Sequence, residues 1–444
     1  MPPRFGTDGI RGVANSELTP EIALALGRAA ARLLPDGPFL IGRDTRLSGP
    51  LLQAALSAGL ASEGREVVDL GVIPTPGVAW ASAERSAPAA VISASHNPYR
   101  DNGIKLFSER GAKLSLETEA AVQEALDRFL AEGTGAVHAE TVGSIHTDTE
   151  GLSSYAEAVV SVHGGGPLPP GEIVVDCANG AASSAAHLVL ERLGVAHHVI
   201  FDAPDGLNIN DGCGSTHPEE LQAEVLRRGA FAGVALDGDA DRMLAVDEEG
   251  NLVDGDHLLA IFASDMRQGG ELEGDTVVVT VMSNLGLHRA LGEMGLQTVE
   301  TPLGDRHVAD ALESGGFMLG GEQSGHIIFR RHSPTGDGLL TAVKLIDVLG
   351  RAGKPLGALA RGTMSRLPQV LLNVAVPDPG RLEEAEVVWA ETEAVRSELE
   401  GSGRVLLRSS GTEACVRVMV EAASEQVATE MAERLAAVVR RELG

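Results

Sequence analysis

Three times along the chain a short apolar run with strand character breaks into a polar or glycine-containing turn and passes into a helical pattern. The runs are Phe39-Leu40-Ile41-Gly42-Arg43-Asp44, Ile173-Val174-Val175-Asp176-Cys177-Ala178 and Val277-Val278-Val279-Thr280-Val281-Met282. Strands alternating with helices in this way predict α/β units with parallel or mixed sheets. A helix is expected over 21–34. It opens after Thr19-Pro20, a cap residue with proline in the first turn, and its Ile22, Leu26 and Leu33 recur at helical spacing. Gly164 to Pro170 reads as loop, just inside a second domain. After Arg366-Leu367-Pro368 the pattern shifts to strand-like 370–376, a charged helix over 381–399, strand-like 404–407 and 415–421, and a last helix ending at Leu443. This predicts a smaller α+β unit. The spacing of the three strand-turn-helix units is too uneven for a solenoid.

At 444 residues the chain exceeds the roughly 250–300 residues at which single cores stop growing, so three or four domains are expected. With 43% apolar and 22% charged residues it can bury sizeable cores. Its formal net charge of −28 opposes nucleic acid and anionic lipid, and no basic patch offsets it, so neither is expected as a partner. Membrane insertion is not expected, because no stretch is long and apolar enough to span a bilayer. Cys177, Cys213 and Cys415 are odd in number and lack a C-x-x-C spacing, which suits reduced thiols. Together with an N-terminus of no secretory type, this makes the cytoplasm the expected location.

Asp237-Gly238-Asp239-Ala240-Asp241-Arg242 follows the apolar Val234-Ala235-Leu236. In an extended or gently curving loop every second side chain points the same way, so the three carboxylates converge and repel unless a cation lies between them. Hard oxygen ligands suit Mg²⁺ or Ca²⁺. A solvated acidic turn is the alternative. So is an EF-hand fragment with Glu248 at position 12, but Arg242 and Met243 stand where ligands should continue.

Val91-Ile92-Ser93-Ala94-Ser95-His96-Asn97-Pro98 delivers hydroxyls from a strand into a turn, with Lys105 a little further on. Ser95 there is a candidate nucleophile, with His96 and Lys105 for proton transfer or charge; a plain turn explains Asn97 and Pro98 equally well. Arg408-Ser409-Ser410-Gly411-Thr412-Glu413 combines an arginine fork, hydroxyls and a closely approachable backbone, as a phosphate requires, and Arg417 adds a second charge. An ordinary Ser-Gly turn is its rival. Gly321-Glu322-Gln323-Ser324-Gly325-His326 offers groups for sugar hydroxyls and an acid or base, or forms a structural turn. Arg4 to Gly12 and Arg43-Asp44-Thr45-Arg46 fit neither nucleotide fingerprint, but Arg11 is a candidate for a phosphoryl group.

In this order Phe5 to Gly12, Ser93 to Pro98, Asp237 to Arg242, Gly321 to His326 and Arg408 to Glu413 resemble the α-D-phosphohexomutase superfamily across essentially the whole chain. Glu322 to His326 and Asn208-Ile209-Asn210 with Cys213 to Glu219 resemble its amino-sugar branch; mannose or glucose mutases are the alternative. The resemblance implies four domains around a central cleft, three of shared α/β mixed-sheet topology and a smaller C-terminal α+β domain. Their expected bounds are 1–150 with the phosphoserine loop, 151–252 with the metal loop, 253–366 with the sugar-recognition loop and 367–444 with the phosphate-binding loop.

It further implies phosphorylation of Ser95, and Mg²⁺ held by Asp237, Asp239, Asp241 and an oxygen of Ser95 or its phosphate. Arg11, His96, Lys105 and Arg242 would line the reacting phosphate, with Lys105 and His326 handling protons. Glu322 and Ser324 would read the sugar, and Arg408, Ser410, Gly411 and Thr412 would grip the far phosphate. The implied reaction moves phosphate between the 6- and 1-positions of glucosamine, with glucosamine 1,6-bisphosphate or glucose 1,6-bisphosphate as activator. The partner is then a small sugar phosphate, and a homodimer is compatible. Ser409 and Ala414 depart from the prolines usual in the last loop.

Overall fold

Strands Val67–Val72, Phe39–Arg43 and Ala89–Ile92 run parallel in that spatial order, and Asp101–Phe107 closes on Ala89–Ile92 antiparallel. The same order recurs twice. His197–Ile200, Ile173–Asp176 and Ala232–Leu236 are parallel with Met243–Val246 antiparallel. Gln297–Thr301, Thr276–Thr280 and Leu319–Gly321 are parallel with Ile327–Phe329 antiparallel. The shared mixed topology expected for three domains is therefore present. Extra edge strands bring the first sheet to seven strands and the second to five, while the third keeps four. The central strands carry continuous apolar runs because both faces are covered: Val277, Val278 and Val279 are wholly buried.

This computed structural model describes residues 4–6, 8–133, 139–399, 401–410 and 414–444. The chain divides into two compact units, Met1–Val281 with Leu296–Arg361 and Met282–Gly295 with Gly362–Gly444. The helix expected over 21–34 is Pro20–Leu33, with Pro20 in the first turn. No helix among the described residues is long and apolar enough to cross a membrane.

The second unit holds an antiparallel sheet in the order Gln369–Ala375, Cys415–Glu421, Arg404–Ser409. Helices Glu386–Leu399 and Glu425–Leu443 pack on it through Val388, Val395, Leu435 and Val439. The continuous helix expected over 381–399 is instead a 3₁₀ turn, Pro379–Glu384, and a separate α-helix. Asp378 caps the turn at Gly380 N (3.0 Å), and Trp389 Nε1 takes the Leu382 carbonyl (2.8 Å), so the two segments do not merge into one ladder. Fully buried Glu421 accepts from Leu285 N at 2.9 Å and from Arg404, tying the helix Leu285–Glu293 to this sheet.

Candidate active site

The connection from the third parallel strand to its antiparallel neighbour is the same in each repeat of the first unit. It carries Ser95, then Asp237 to Asp241, then Glu322 to His326. Ends of parallel strands are where open sheets present backbone and side chains to a ligand. Three loops that look unrelated in sequence thus occupy one topological position.

Ser95 Oγ donates to Asp237 Oδ2 at 2.6 Å. Ser95 sits in the left-handed region at φ 51°, and its N–H donates to Ser93 Oγ at 2.9 Å. Carboxylate oxygens of Asp237, Asp239 and Asp241 lie within 4.8 Å of one another, all buried. Gly238 has to be glycine here, because a Cβ would stand 2.6 Å from the Ser95 carbonyl oxygen. Lys105 Nζ reaches Asp239 Oδ2 at 2.9 Å and Asp241 Oδ2 at 3.5 Å.

One lysine does not satisfy three carboxylates. Asp239 Oδ1 and Asp241 Oδ1 are buried without a hydrogen-bond partner among the described residues. Such orphaned oxygens are costly unless a cation takes them, so the donor set fits a divalent metal. Burial and the neighbouring Asp241 and Asp239 push the Asp237 carboxyl well above its ordinary range. Burial also acts to raise Asp241, yet Lys105, His326 and Arg242 hold it well below. For Lys105, burial is outweighed by Asp239, Asp8 and Asp241, and the ammonium stays charged.

His96 Nδ1 lies 3.3 Å from Ser95 Oγ, and burial with nearby Arg242 and Arg11 lowers its pKa to about 4. It is therefore neutral near pH 7. Arg242 sends its backbone N–H to Asp237 Oδ1 at 3.2 Å, while its buried Nε has no acceptor among the described residues; Arg11 Nε is in the same state. His326 accepts from Gly336 N at Nε2 (3.1 Å), which leaves the proton on Nδ1, 3.8 Å from Asp241 Oδ1. Burial lowers and Asp241 raises its pKa, with a net rise. Glu322 accepts from Gly304 N at 3.0 Å and from Ser324 Oγ at 3.3 Å.

The whole chain resolves into matches with four parts of one superfamily. Residues 2–131 match phosphoglucomutase/phosphomannomutase alpha/beta/alpha domain I, 154–250 domain II, 254–367 domain III and 371–438 the C-terminal domain. It is 50% identical over 450 residues to a phosphoglucosamine mutase of Symbiobacterium thermophilum, covering 100% of both chains. The phosphoglucosamine mutase of Bacillus subtilis is 47% identical, with 99% of each covered. The chain belongs to the phosphoglucosamine mutase family. Among solved structures, a phosphoglucomutase/phosphomannomutase family protein of Burkholderia thailandensis is similar at TM-score 0.81 and 27% identity, covering 98% of this chain and 97% of that one. Aspergillus fumigatus N-acetylphosphoglucosamine mutase, in complex with GlcNAc-6P and magnesium, shares the fold at TM-score 0.72 and 20% identity, covering 100% and 96%.

Four further residues complete the site of this phosphoglucosamine mutase family member; Asp8, Arg46 and Asn210 stand in motifs read from the sequence without a role assigned to them, and Thr75 in none. Asp8 ion-pairs with Arg11 and lies 3.4 Å from Lys105 Nζ. Burial raises its pKa, but Lys105, Lys113 and Arg11 hold the carboxyl far below its usual range. Thr75 Oγ1 donates to Asp239 Oδ2 at 2.7 Å, and Thr75 N to the Asp239 carbonyl at 2.9 Å. Arg46, whose side chain is inaccessible, pairs with Asp44 and donates to the carbonyls of Ser95 (2.9 Å), Asn97 (2.8 Å), Pro98 and Asp101. Asn210 Nδ2 adds bonds to the Ser95 and Asn97 carbonyls at 2.9 and 3.0 Å. Arg-Asp-Thr-Arg and Asn-Ile-Asn were visible as polar motifs, but nothing local says which carbonyls they reach.

In the second unit Arg408 and Arg417 stand directly opposite each other on paired antiparallel strands. Like charges in that register are destabilising unless an anion joins them. Burial, then Arg417, lowers the Arg408 pKa. Ser410 N donates to the Cys415 carbonyl at 2.9 Å. Gly411 and Thr412 lie outside the described residues.

Proposed function

We infer that this chain interconverts glucosamine 6-phosphate and glucosamine 1-phosphate through a phosphoserine at position 95 and a bisphosphorylated sugar. One observation carries the reading: Ser95 Oγ meets Asp237 at 2.6 Å beside two further buried carboxylates with free oxygens. Its full-length relatives are phosphoglucosamine mutases.

Phosphorylated Ser95 donates its phosphoryl group to the sugar's 1-hydroxyl, whose proton leaves to a base, and the product is a 1,6-bisphosphate. After the sugar turns end for end, Ser95 Oγ takes the phosphoryl group from the 6-position and gives up its own proton, while the released 6-oxygen takes up a proton to become the free hydroxyl of glucosamine 1-phosphate. Lys105, charged and 2.9 Å from Asp239, is one proton handler and His326 the other. His326 takes up a proton at Nε2 only by releasing Gly336 N. Arg11 and Arg242 have guanidinium nitrogens left for the phosphoryl oxygens, where charge spreads in the transition state. Glu322 and Ser324 orient sugar hydroxyls. Arg408, with Ser410, Gly411 and Thr412, holds the phosphate that is not reacting.

Asp237, Asp239 and Asp241, with an oxygen of Ser95 or its phosphate, would hold Mg²⁺, which when bound neutralises phosphoryl charge. Glucosamine 1,6-bisphosphate or glucose 1,6-bisphosphate primes Ser95. The reading goes with a cytoplasmic location, where sugar phosphates are made and the three buried free cysteines stay reduced.

Two measurements test it. Product formation from glucosamine 6-phosphate should require magnesium and a trace of bisphosphate, and should exceed that from glucose or mannose 6-phosphate by at least an order of magnitude. Intact-mass analysis should show one phosphate on the wild type and none on Ser95→Ala, with activity lost in step; a phosphorylated, active variant would mean another nucleophile.

A further inference from the structure

Apart from the reacting loops, the first unit contains a cavity of about 670 Å³. That lies within the range of small-molecule pockets. None of Ser95, Asp237, Asp239, Asp241, Arg242, Glu322 or His326 lines it. One wall is the segment after Asp101–Phe107, including Arg110, Lys113 and Leu116; the other is the start of helix Asp305–Gly315 with residues 330–335.

In a chain of net charge −28, this cavity is lined by five arginine and lysine side chains against three carboxylates, those of Asp305, Asp310 and Glu313. Three of the five cations are committed. Arg306 bonds Glu119 and the Leu114 carbonyl, Arg331 bonds Glu273 at 3.2 Å, and Lys113 bridges Asp8 and Asp305 at 2.8 and 2.6 Å. Arg110 and Arg330 form no ion pair among the described residues. At the same rim Leu116 is 71% exposed, more than any other large apolar side chain among the described residues. Two uncommitted guanidiniums beside an exposed apolar contact are what a phosphorylated small molecule with an apolar portion requires.

We propose that this cavity binds such a phosphorylated metabolite through Arg110 and Arg330, and that its occupancy is felt at the reacting loops through Lys113. The connection is short. Lys113 holds Asp8 Oδ1, and Asp8 Oδ2 faces Lys105 Nζ at 3.4 Å and pairs with Arg11. An anion that draws Lys113 toward the cavity loosens Asp8, and with it two cations of the site.

Calorimetric titration with pyrophosphate and with ADP tests this on the wild type, Arg110→Ala/Arg330→Ala and Leu116→Glu. All three positions are solvent-facing, so melting temperature and probe-free kcat should be unchanged. Binding at the phosphate-transfer residues persists in every variant and sets the background. The expected result is wild-type binding beyond that background by at least one probe, weakened at least tenfold in both variants, with kcat at saturating sugar phosphate falling on probe addition only in the wild type. Binding by neither probe, or equal binding by all three proteins, would overturn the site. Binding lost in the variants with no response of kcat would overturn the link through Lys113.

Discussion

The Arg46 guanidinium donates to the carbonyl oxygen of Ser95 at 2.9 Å from a position that no solvent reaches. It fixes the backbone of a non-glycine residue held at φ 51°, a conformation that costs energy unless its surroundings enforce it. Arg46→Lys keeps a charge for Asp44 but does not span the four carbonyls. We expect kcat to fall by about 10²-fold with a much smaller change in KM, and Ser95 to be phosphorylated slowly by bisphosphate. A loss of activity no greater than the fraction unfolded would reduce Arg46 to a stability role.

Gly238→Ala should act from the opposite side of the same contact. The new methyl would press on the Ser95 carbonyl at 2.6 Å, which is backbone, and on Asn210 Nδ2 at 2.8 Å, which two hydrogen bonds hold in place. Overpacking of this kind costs about 1–3 kcal/mol. Denaturant melts should show that loss, and activity should drop further than the melts explain, because the aspartate loop shifts against the serine.

Magnesium should stabilise the fold. The two orphaned carboxylate oxygens of Asp239 and Asp241 gain a partner when the ion binds, and an ion at 100 times its Kd adds about 2.7 kcal/mol. Thermal melts with millimolar magnesium against chelator should show an upward shift in the wild type and little in Asp241→Asn. Equal shifts in both proteins would place the ion elsewhere.

A pH effect on stability should come from Asp337, a buried carboxyl that is not one of the metal trio. Burial pushes its carboxyl up to about 6, against about 3.9 in an unfolded chain. Between those values the folded state holds more protons than the unfolded one. The contribution is therefore full below about pH 4 and is lost as pH rises through about 6, up to about 3 kcal/mol. Asp337→Asn keeps acceptors for Leu340 N and the Tyr155 hydroxyl and lacks the titration. Chemical melts at pH 4.5 and 7 should show the wild type losing stability relative to the variant; parallel behaviour would contradict the shift.

Arg408→Gln should raise KM for the sugar phosphate by tenfold or more and leave stability equal or slightly higher. Removing one of two arginines in direct cross-strand register relieves a repulsion of about 0.2–1 kcal/mol. Initial-rate kinetics with thermal melts would check both signs, and an unchanged KM would exclude Arg408 from phosphate binding.

Much of this molecule is legible in local pattern. Val277-Val278-Val279 reads as a strand because a strand covered on both faces has no polar side to show. Asp237-Gly238-Asp239-Ala240-Asp241 reads as a cation loop because three carboxylates so closely spaced need a counter-charge, although they converge through a turn closed by Ala240 N on the Asp237 carbonyl (3.0 Å), with Ala240 at φ 58°, and not through the extended run expected. Such features depend on neighbours a few residues away, and the chain states them directly. The break at Ala385 was not legible, because it depends on Trp389 reaching back to the Leu382 carbonyl.

Tertiary structure alone decided which of these loops meet. Ser95 and Asp237 are 142 residues apart in the chain, and their contact exists because two repeats of one topology present the same connection side by side. Asp8, Thr75, Arg46 and Asn210 belong to the site only through bonds to residues remote from them in the chain. The physical reason is burial: the carboxylates and cations matter to one another because folding removes the water that would otherwise screen them, and no stretch of sequence records which partners that water is exchanged for.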